Sequence, residues 1–198
     1  MTHIKSALEI ALEKTENVKS DRETLEAHNL KQEGRRIASR YLNNPDDPEA
    51  SITKHLKQYD REKATMVKEG IFQTMVANIS IPHNESQISR IDVIERALSL
   101  LINDKRALSH IVKQLKQFFH QYLQNREQVR QTLEERFKPK LREKERELSK
   151  RLGVEVQLDI SQEPEFAANL KQNLVKLEER YQEVLNQAKT EIEKLFKA

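Results

Sequence analysis

Val154-Glu155-Val156-Gln157-Leu158-Asp159-Ile160 is the stretch whose reading decides the fold. Its apolar residues recur at every second position, the spacing of an extended strand, while on either side they recur at three- and four-residue steps, the spacing of a helix. Before it lies a basic segment from Asp104 to Leu152, and after it an acidic one from Ser161 to Ala198. The reading is a long helix, a short strand at 154–160 and a helix that folds back. A lone strand cannot satisfy its own backbone donors and acceptors. Its partner is Asn78 to Ile81 of the same chain, the matching strand of a second copy, or the sheet edge of another protein.

The two flanks carry matching repeats. Leu108, Val112, Leu115, Phe119, Tyr122, Val129 and Leu133 hold a coiled-coil spacing that Arg126 interrupts, and the register then shifts to Phe137, Leu141, Leu148 and Leu152. Pro139 falls inside this shift, which predicts a bend near Phe137. Gly153 is placed to end the helix, and Ser161 and Pro164 suit the start of the next one. There Leu170, Leu174, Leu177, Tyr181, Val184, Ala188 and Leu195 form the cleanest repeat of the chain. Residues 104–152 carry 14 basic and 7 acidic side chains, and 153–198 carry 6 and 9, so the flanks are +7 and −3. Part of the basic excess therefore faces the acidic helix.

Upstream, Ile4, Leu8, Ala11, Thr15 and Val18 predict a helix from Thr2 or His3 towards Leu42, with Asn17, Ser20 and Asp21 as a candidate break. Gly34 weakens that helix by about 1 kcal/mol relative to alanine unless close packing requires it. Asp47-Pro48 is an N-cap followed by a first-turn proline, and a second helix is expected from there to Ala77, with Ile52, Leu56, Tyr59, Lys63, Met66, Val67 and Gly70 on its inner face. Asn84 and Gln87 resemble a capping box. The helix they start carries Ile88, Ile91, Ile94, Leu98, Leu101 and Ile102, the most apolar face of the chain and its expected core.

Composition agrees with helix seams better than with a large globule, since 36% of the 198 residues are apolar, 34% are charged, and there are three glycines and no tryptophan. The absence of cysteine removes disulfides and thiolate metal sites. No apolar run is long enough to cross a bilayer, and the expected location is the cytoplasm.

Catalytic patterns are missing. The isolated Gly34, Gly70 and Gly153 make no phosphate loop, and the six histidines form neither a His-Glu-x-x-His nor a Glu-x-x-His pattern. Glu134-Glu135 and Glu178-Glu179 read as solvated helix charge. No catalytic residue, metal, cofactor or small-molecule substrate is expected. Lys138, Lys140, Arg142, Lys144, Arg146, Lys150 and Arg151 offer dense cations to phosphates, although Glu143, Glu145 and Glu147 dilute them. Stacking aromatics are not interleaved with these cations.

Ile4 to Thr15, together with Gly153 to Phe166 and its Glu163-Pro164-Glu165-Phe166, resembles an uncharacterised family of bacterial helical proteins. The resemblance implies no activity and transfers no functional residue. The order of long helix, short strand and helix is also similar to peripheral-stalk subunits of rotary ATPases, a likeness of architecture alone.

The expected fold is mainly α: an elongated helical bundle over residues 1–103, and over 104–198 a long antiparallel coiled-coil-like hairpin with one short β-strand. The expected function is that of a non-enzymatic scaffold or assembly protein. It would bind a protein partner or a second copy of itself through Leu170, Leu174, Leu177 and Tyr181 and through the strand edge Val154, Val156 and Leu158. The alternative is a nucleic-acid-associated protein that uses the basic helix 138–151.

Overall fold

The computed structural model describes the backbone of residues 7–198 and the side chains of residues 22–198. The expected helix start at Thr2 or His3 lies outside the described residues, as do the side chains of Leu8, Ala11, Thr15 and Val18. Helix α1 (Ala7–Asn43) runs without a break past Asn17, Ser20 and Asp21. A 3-10 turn (Pro48–Ala50), α2 (Ile52–Leu56), α3 (Arg61–Ala77), α4 (Glu85–Leu98), α5 (Lys105–Leu152), a second 3-10 turn (Ile160–Gln162) and α6 (Pro164–Lys197) follow.

The local chemistry explains most of these boundaries. Asp47 accepts from the Glu49 amide with Pro48 in the first turn, Asp60 accepts from the Lys63 amide at 2.9 Å, and Asp104 accepts from the Ala107 amide at 2.9 Å. Such caps are each worth about 1 kcal/mol. At α4 the Asn84 carboxamide accepts from the Gln87 amide at 3.2 Å, and the Gln87 side chain accepts in return from the His83 amide at 2.7 Å. The helix expected from Pro48 to Ala77 is divided into three pieces, the 3-10 turn, α2 and α3. The apolar period continues through Leu56 and Tyr59, but Asp60 caps a fresh start and ends the earlier register.

The described chain forms two compact units, one running up to Ile79 together with Val93–Asn103, the other comprising Ser80–Asp92 and Asp104–Ala198. In the first, Lys63 pairs with Glu26 at 2.8 Å, Lys31 with Glu69 at 2.9 Å, and Arg35 reaches Gln73 at 3.5 Å. The partner numbers rise together, so α1 and α3 run parallel, and residues 44–60 carry the chain back between them. At the crossing Gly34 faces Gly70: a Cβ on Gly34 would stand 3.0 Å from Gly70 Cα and press into the Val67 carbonyl oxygen, and one on Gly70 would press into that of Lys31. Here close packing does require glycine, and the two backbones meet where a methyl group has no room. Val67, Ile71, Met75, Ile94 and Leu98 are fully buried in this unit.

In the second unit α5 is one uninterrupted helix of 48 residues, about 70 Å at 1.5 Å per residue. Pro139 stands within it, exposed, where water can satisfy the Glu135 carbonyl that its missing amide would have met. His120–Glu85 at 3.0 Å and Lys116–Asp92 at 2.6 Å tie the first half of α4 to α5. Phe137 meets Phe166 at 5.7 Å edge-on, and Tyr181 meets Phe118 at 4.5 Å, so the α5 and α6 contacts run in opposite sequence order.

The expected β-strand is corrected. No strand exists among the described residues; Val154–Asp159 is an extended strap whose residues 154–158 have no backbone partner, while the Asp159 carbonyl accepts from the Gln162 amide at 3.0 Å. Its period of two reports extension truthfully, but its hydrogen bonds go to side chains of α5. Among the described residues no helix is long and apolar enough to cross a membrane.

Candidate functional site

The strap begins at Gly153, the one described residue with positive φ (70°), whose left-handed turn ends α5 while its amide donates to the Ser149 carbonyl at 2.9 Å. The chain then reverses along α5. The Val156 amide donates to Ser149 Oγ at 2.9 Å, and the Leu158 amide donates to Glu145 Oε1 at 2.9 Å. The match has a simple metric reason: four helical residues rise about 6 Å and two extended residues about 6.6 Å, so alternate strap amides meet side chains one helical turn apart. Asp159 closes the segment by accepting from the Ser161 amide at 2.8 Å, and this bond with the Ser161 hydroxyl holds its carboxyl below the usual carboxylate range. Ile160 then packs on the cluster of Leu133, Phe137 and Phe166, with Val129 and Leu170 beside it.

Successive residues of an extended chain point their backbone groups to opposite sides. With Val156 and Leu158 bonded inward, the amides of Glu155 and Gln157 face away from α5, and neither has a protein partner among the described residues. Beside this edge Leu152 and Val154 are 63% and 61% exposed. Val156 and Leu158 themselves are half-buried.

The seam residues of α6 are turned towards α5. Tyr181 accepts from Asn125 Nδ2 at 2.7 Å and packs between Phe118 and Tyr122, whose phenol is raised by burial and then by the Glu178 charge. Leu170 and Leu174 line a cleft of ≈ 630 Å³ with Leu123, Phe166 and Ile160, and Leu177 is half-buried. Arg126, which breaks the apolar repeat, reaches out of it to donate to the His83 carbonyl at 3.0 Å.

The basic run is divided by the helix. Lys140 pairs with Glu165 at 3.2 Å and Lys144 with Glu163 at 2.6 Å, on the side that faces α6. Lys138, Arg142, Arg146 and Lys150 fall at four-residue steps on another side, exposed and without an ion pair among the described residues. Arg151 is exposed as well. Arg142, Arg146 and Lys150 form one wall of a groove of ≈ 710 Å³, and strap residues 155–158 form the other.

Two residues define this region in a way the sequence did not point to: Ser149, which stood out in no pattern, and Glu145, read there only as an acid diluting the basic run. Their only signal is a serine and a glutamate four residues apart, shortly before a helix-ending glycine and a period-two segment. The histidines are dispersed, with the His55 ring 2.8 Å from the Glu49 carbonyl and His120 on Glu85. Among the described residues no three histidine or carboxylate side chains gather to hold a metal.

This arrangement, a strap laid on a long charged helix, lies inside a stretch that a family profile covers, since residues 53–194 match it. The chain belongs to the family of unknown function DUF6657. The Gly153 to Phe166 segment that carried the resemblance falls within the matched residues, whereas Ile4 to Thr15 precedes them. No curated protein and no solved structure matches the chain. In this DUF6657 protein, the strap and its groove must therefore be read from their own chemistry.

Proposed function

We propose that this DUF6657 protein is a non-enzymatic helical scaffold that assembles with a protein partner, or with a second copy of itself, through the outward edge of the strap. The coiled-coil-like pairing of α5 with α6 is the frame that holds the strap in place. The observation that carries this reading is the one-sided satisfaction of the strap. Its inner amides are bonded to Ser149 and Glu145, while the amides of Glu155 and Gln157 stand open beside exposed Leu152 and Val154. An open extended edge next to apolar side chains is the geometry that β-strand addition uses.

The test compares the mass of the purified wild-type protein with that of a Leu152→Glu, Val154→Glu double variant by light scattering, together with the proteins that co-purify at fixed stoichiometry. Both positions are exposed, so folding is expected to survive. The reading requires an assembly that the double variant loses. Identical masses and identical co-purifying proteins refute it.

A second reading, contact with nucleic acid, rests on the unpaired stripe Lys138, Arg142, Arg146 and Lys150. It requires affinity that falls steeply with salt and disappears when those four residues are neutralised. The pairing of Lys140 and Lys144 with α6 removes two of the seven cations from that surface.

A further inference from the structure

We infer that the outward edge of the strap pairs with the strap of a second copy of this chain, antiparallel and about a two-fold axis at Val156. The two straps then form a short ribbon with one α5 on each side of it. The inference rests on the scaffold reading and commits it to self-assembly.

The open backbone groups choose the register. In an extended chain the amide and carbonyl of one residue point the same way, so Glu155 and Gln157 each present both groups to the side away from α5. None of these four groups has a partner among the described residues. With the axis at Val156, Glu155 lies opposite Gln157 of the second copy, and the two such pairs exchange two bonds each, four in all. Moving the axis by one residue spoils this. At Glu155 it sets Gln157 opposite Gly153, whose amide already donates to the Ser149 carbonyl at 2.9 Å. At Gln157 it sets Glu155 opposite Asp159, whose carbonyl already accepts from the Gln162 amide at 3.0 Å.

The side chains select the same register. About Val156, one face of the ribbon sets Val154 against Leu158 and Val156 against its own copy, and the other sets Glu155 against the uncharged Gln157. An axis at Glu155 would put that acid against itself, and an axis at Gln157 would put Glu155 against Asp159 twice. Like charges directly opposite one another destabilise a strand pair. Val154, 61% exposed in the single chain, gains an apolar neighbour.

Two short strands on their own pair only marginally. Here each strap is held extended before it associates, Val156 by Ser149 and Leu158 by Glu145, so the cost of ordering it is met when the chain folds.

The experiment uses the full chain, which has no cysteine of its own, so single cysteines report cleanly. Residues opposite each other at a non-bonded position stand about 4.5 Å apart between Cα atoms, within reach of a disulfide, whereas diagonal neighbours stand about 7–8 Å apart and are not. Under mild oxidation Val156→Cys should therefore form a covalent dimer. Glu155→Cys and Gln157→Cys should form it only when the two variants are mixed, although both positions are more exposed than Val156. In the cysteine-free chain, sedimentation should show a reversible dimer. Gln157→Lys, which meets Glu155 twice, should tighten it by about threefold or more, and Gln157→Glu should weaken it by a similar factor. A monomer at every concentration, crosslinking from Glu155→Cys alone that equals that from Val156→Cys, or equal effects of the lysine and glutamate variants overturns the inference. If the chain is monomeric yet the Leu152→Glu, Val154→Glu variant loses a stoichiometric partner protein, the second copy is wrong and the scaffold reading stands; if that variant changes nothing either, both fall.

Discussion

Removing the two side chains that hold the strap should release it without unfolding the helices. In a Glu145→Ala, Ser149→Ala variant, the Val156 amide loses a neutral hydrogen bond and the Leu158 amide loses one to a carboxylate. Such bonds are worth about 0.5–1.5 and about 1.5–3 kcal/mol respectively. Both strap residues are half-buried, so water replaces part of each bond, and the lower end of the combined range applies: about 2 kcal/mol, or roughly a 30-fold shift in the opening of the strap. Amide hydrogen exchange reads this directly. In the wild type the amides of Val156 and Leu158 should be protected while those of Glu155 and Gln157 exchange freely, an alternation no helix or loop reproduces. In the double variant the protection of Val156 and Leu158 should fall by about 30-fold, with α5 amides near Leu133 unchanged. Uniform protection across residues 154–158 in the wild type, or no change in the variant, would refute the one-sided strap.

Further predictions concern the frame around it. Gly34→Ala and Gly70→Ala should each lower stability by about 1–2 kcal/mol, since overpacking by a methyl group outweighs the helix propensity gained, and thermal unfolding followed by circular dichroism will show whether alanine instead stabilises. Gly153→Ala should cost about 1 kcal/mol for its left-handed backbone alone, because a Cβ there meets nothing within 4 Å. Phe166→Ala should cost about 3 kcal/mol by opening the cluster under Ile160, measured by denaturant unfolding. The depressed carboxyl of Asp159 contributes stability that is present above the ordinary aspartate range and is lost as pH falls through its lower folded value. A carboxyl titration by NMR should find its midpoint below that of an unperturbed aspartate, and a Ser161→Ala variant, which keeps the backbone amide but loses the hydroxyl contact, should raise it only part of the way back.

Much of the helix layout was readable because it is written in local chemistry. Asp47-Pro48, Asn84 with Gln87, Gly153 and Pro164 each mark a boundary with the residue type that the backbone needs there. The break before Asp60 was missed because the apolar period continues through Tyr59, and a cap in mid-pattern is invisible to periodicity. Gly34 could be read only conditionally, since the requirement for glycine comes from Val67 and Gly70, more than thirty residues away. The strap shows the same limit from the other side. Its alternation revealed an extended backbone, but nothing in a period of two distinguishes a sheet from a pair of side chains such as Ser149 and Glu145 on a neighbouring helix. The basic run appears continuous in sequence, and it is the 100° step of the helix that separates Lys140 and Lys144, turned to α6, from the stripe that begins at Lys138.

The central claim is that the outward edge of the strap is where this protein meets another protein chain. The most direct measurement places a photo-crosslinking residue at Gln157 in the full-length protein, and in a control at exposed Lys113, within the cells that make it, with nuclease treatment before the products are resolved by mass. The account predicts one discrete protein adduct from position 157, a partner chain or a second copy, that is absent from position 113 and lost when Leu152 and Val154 are made glutamate. No adduct at 157, an adduct indifferent to those substitutions, or one that nuclease removes would contradict it.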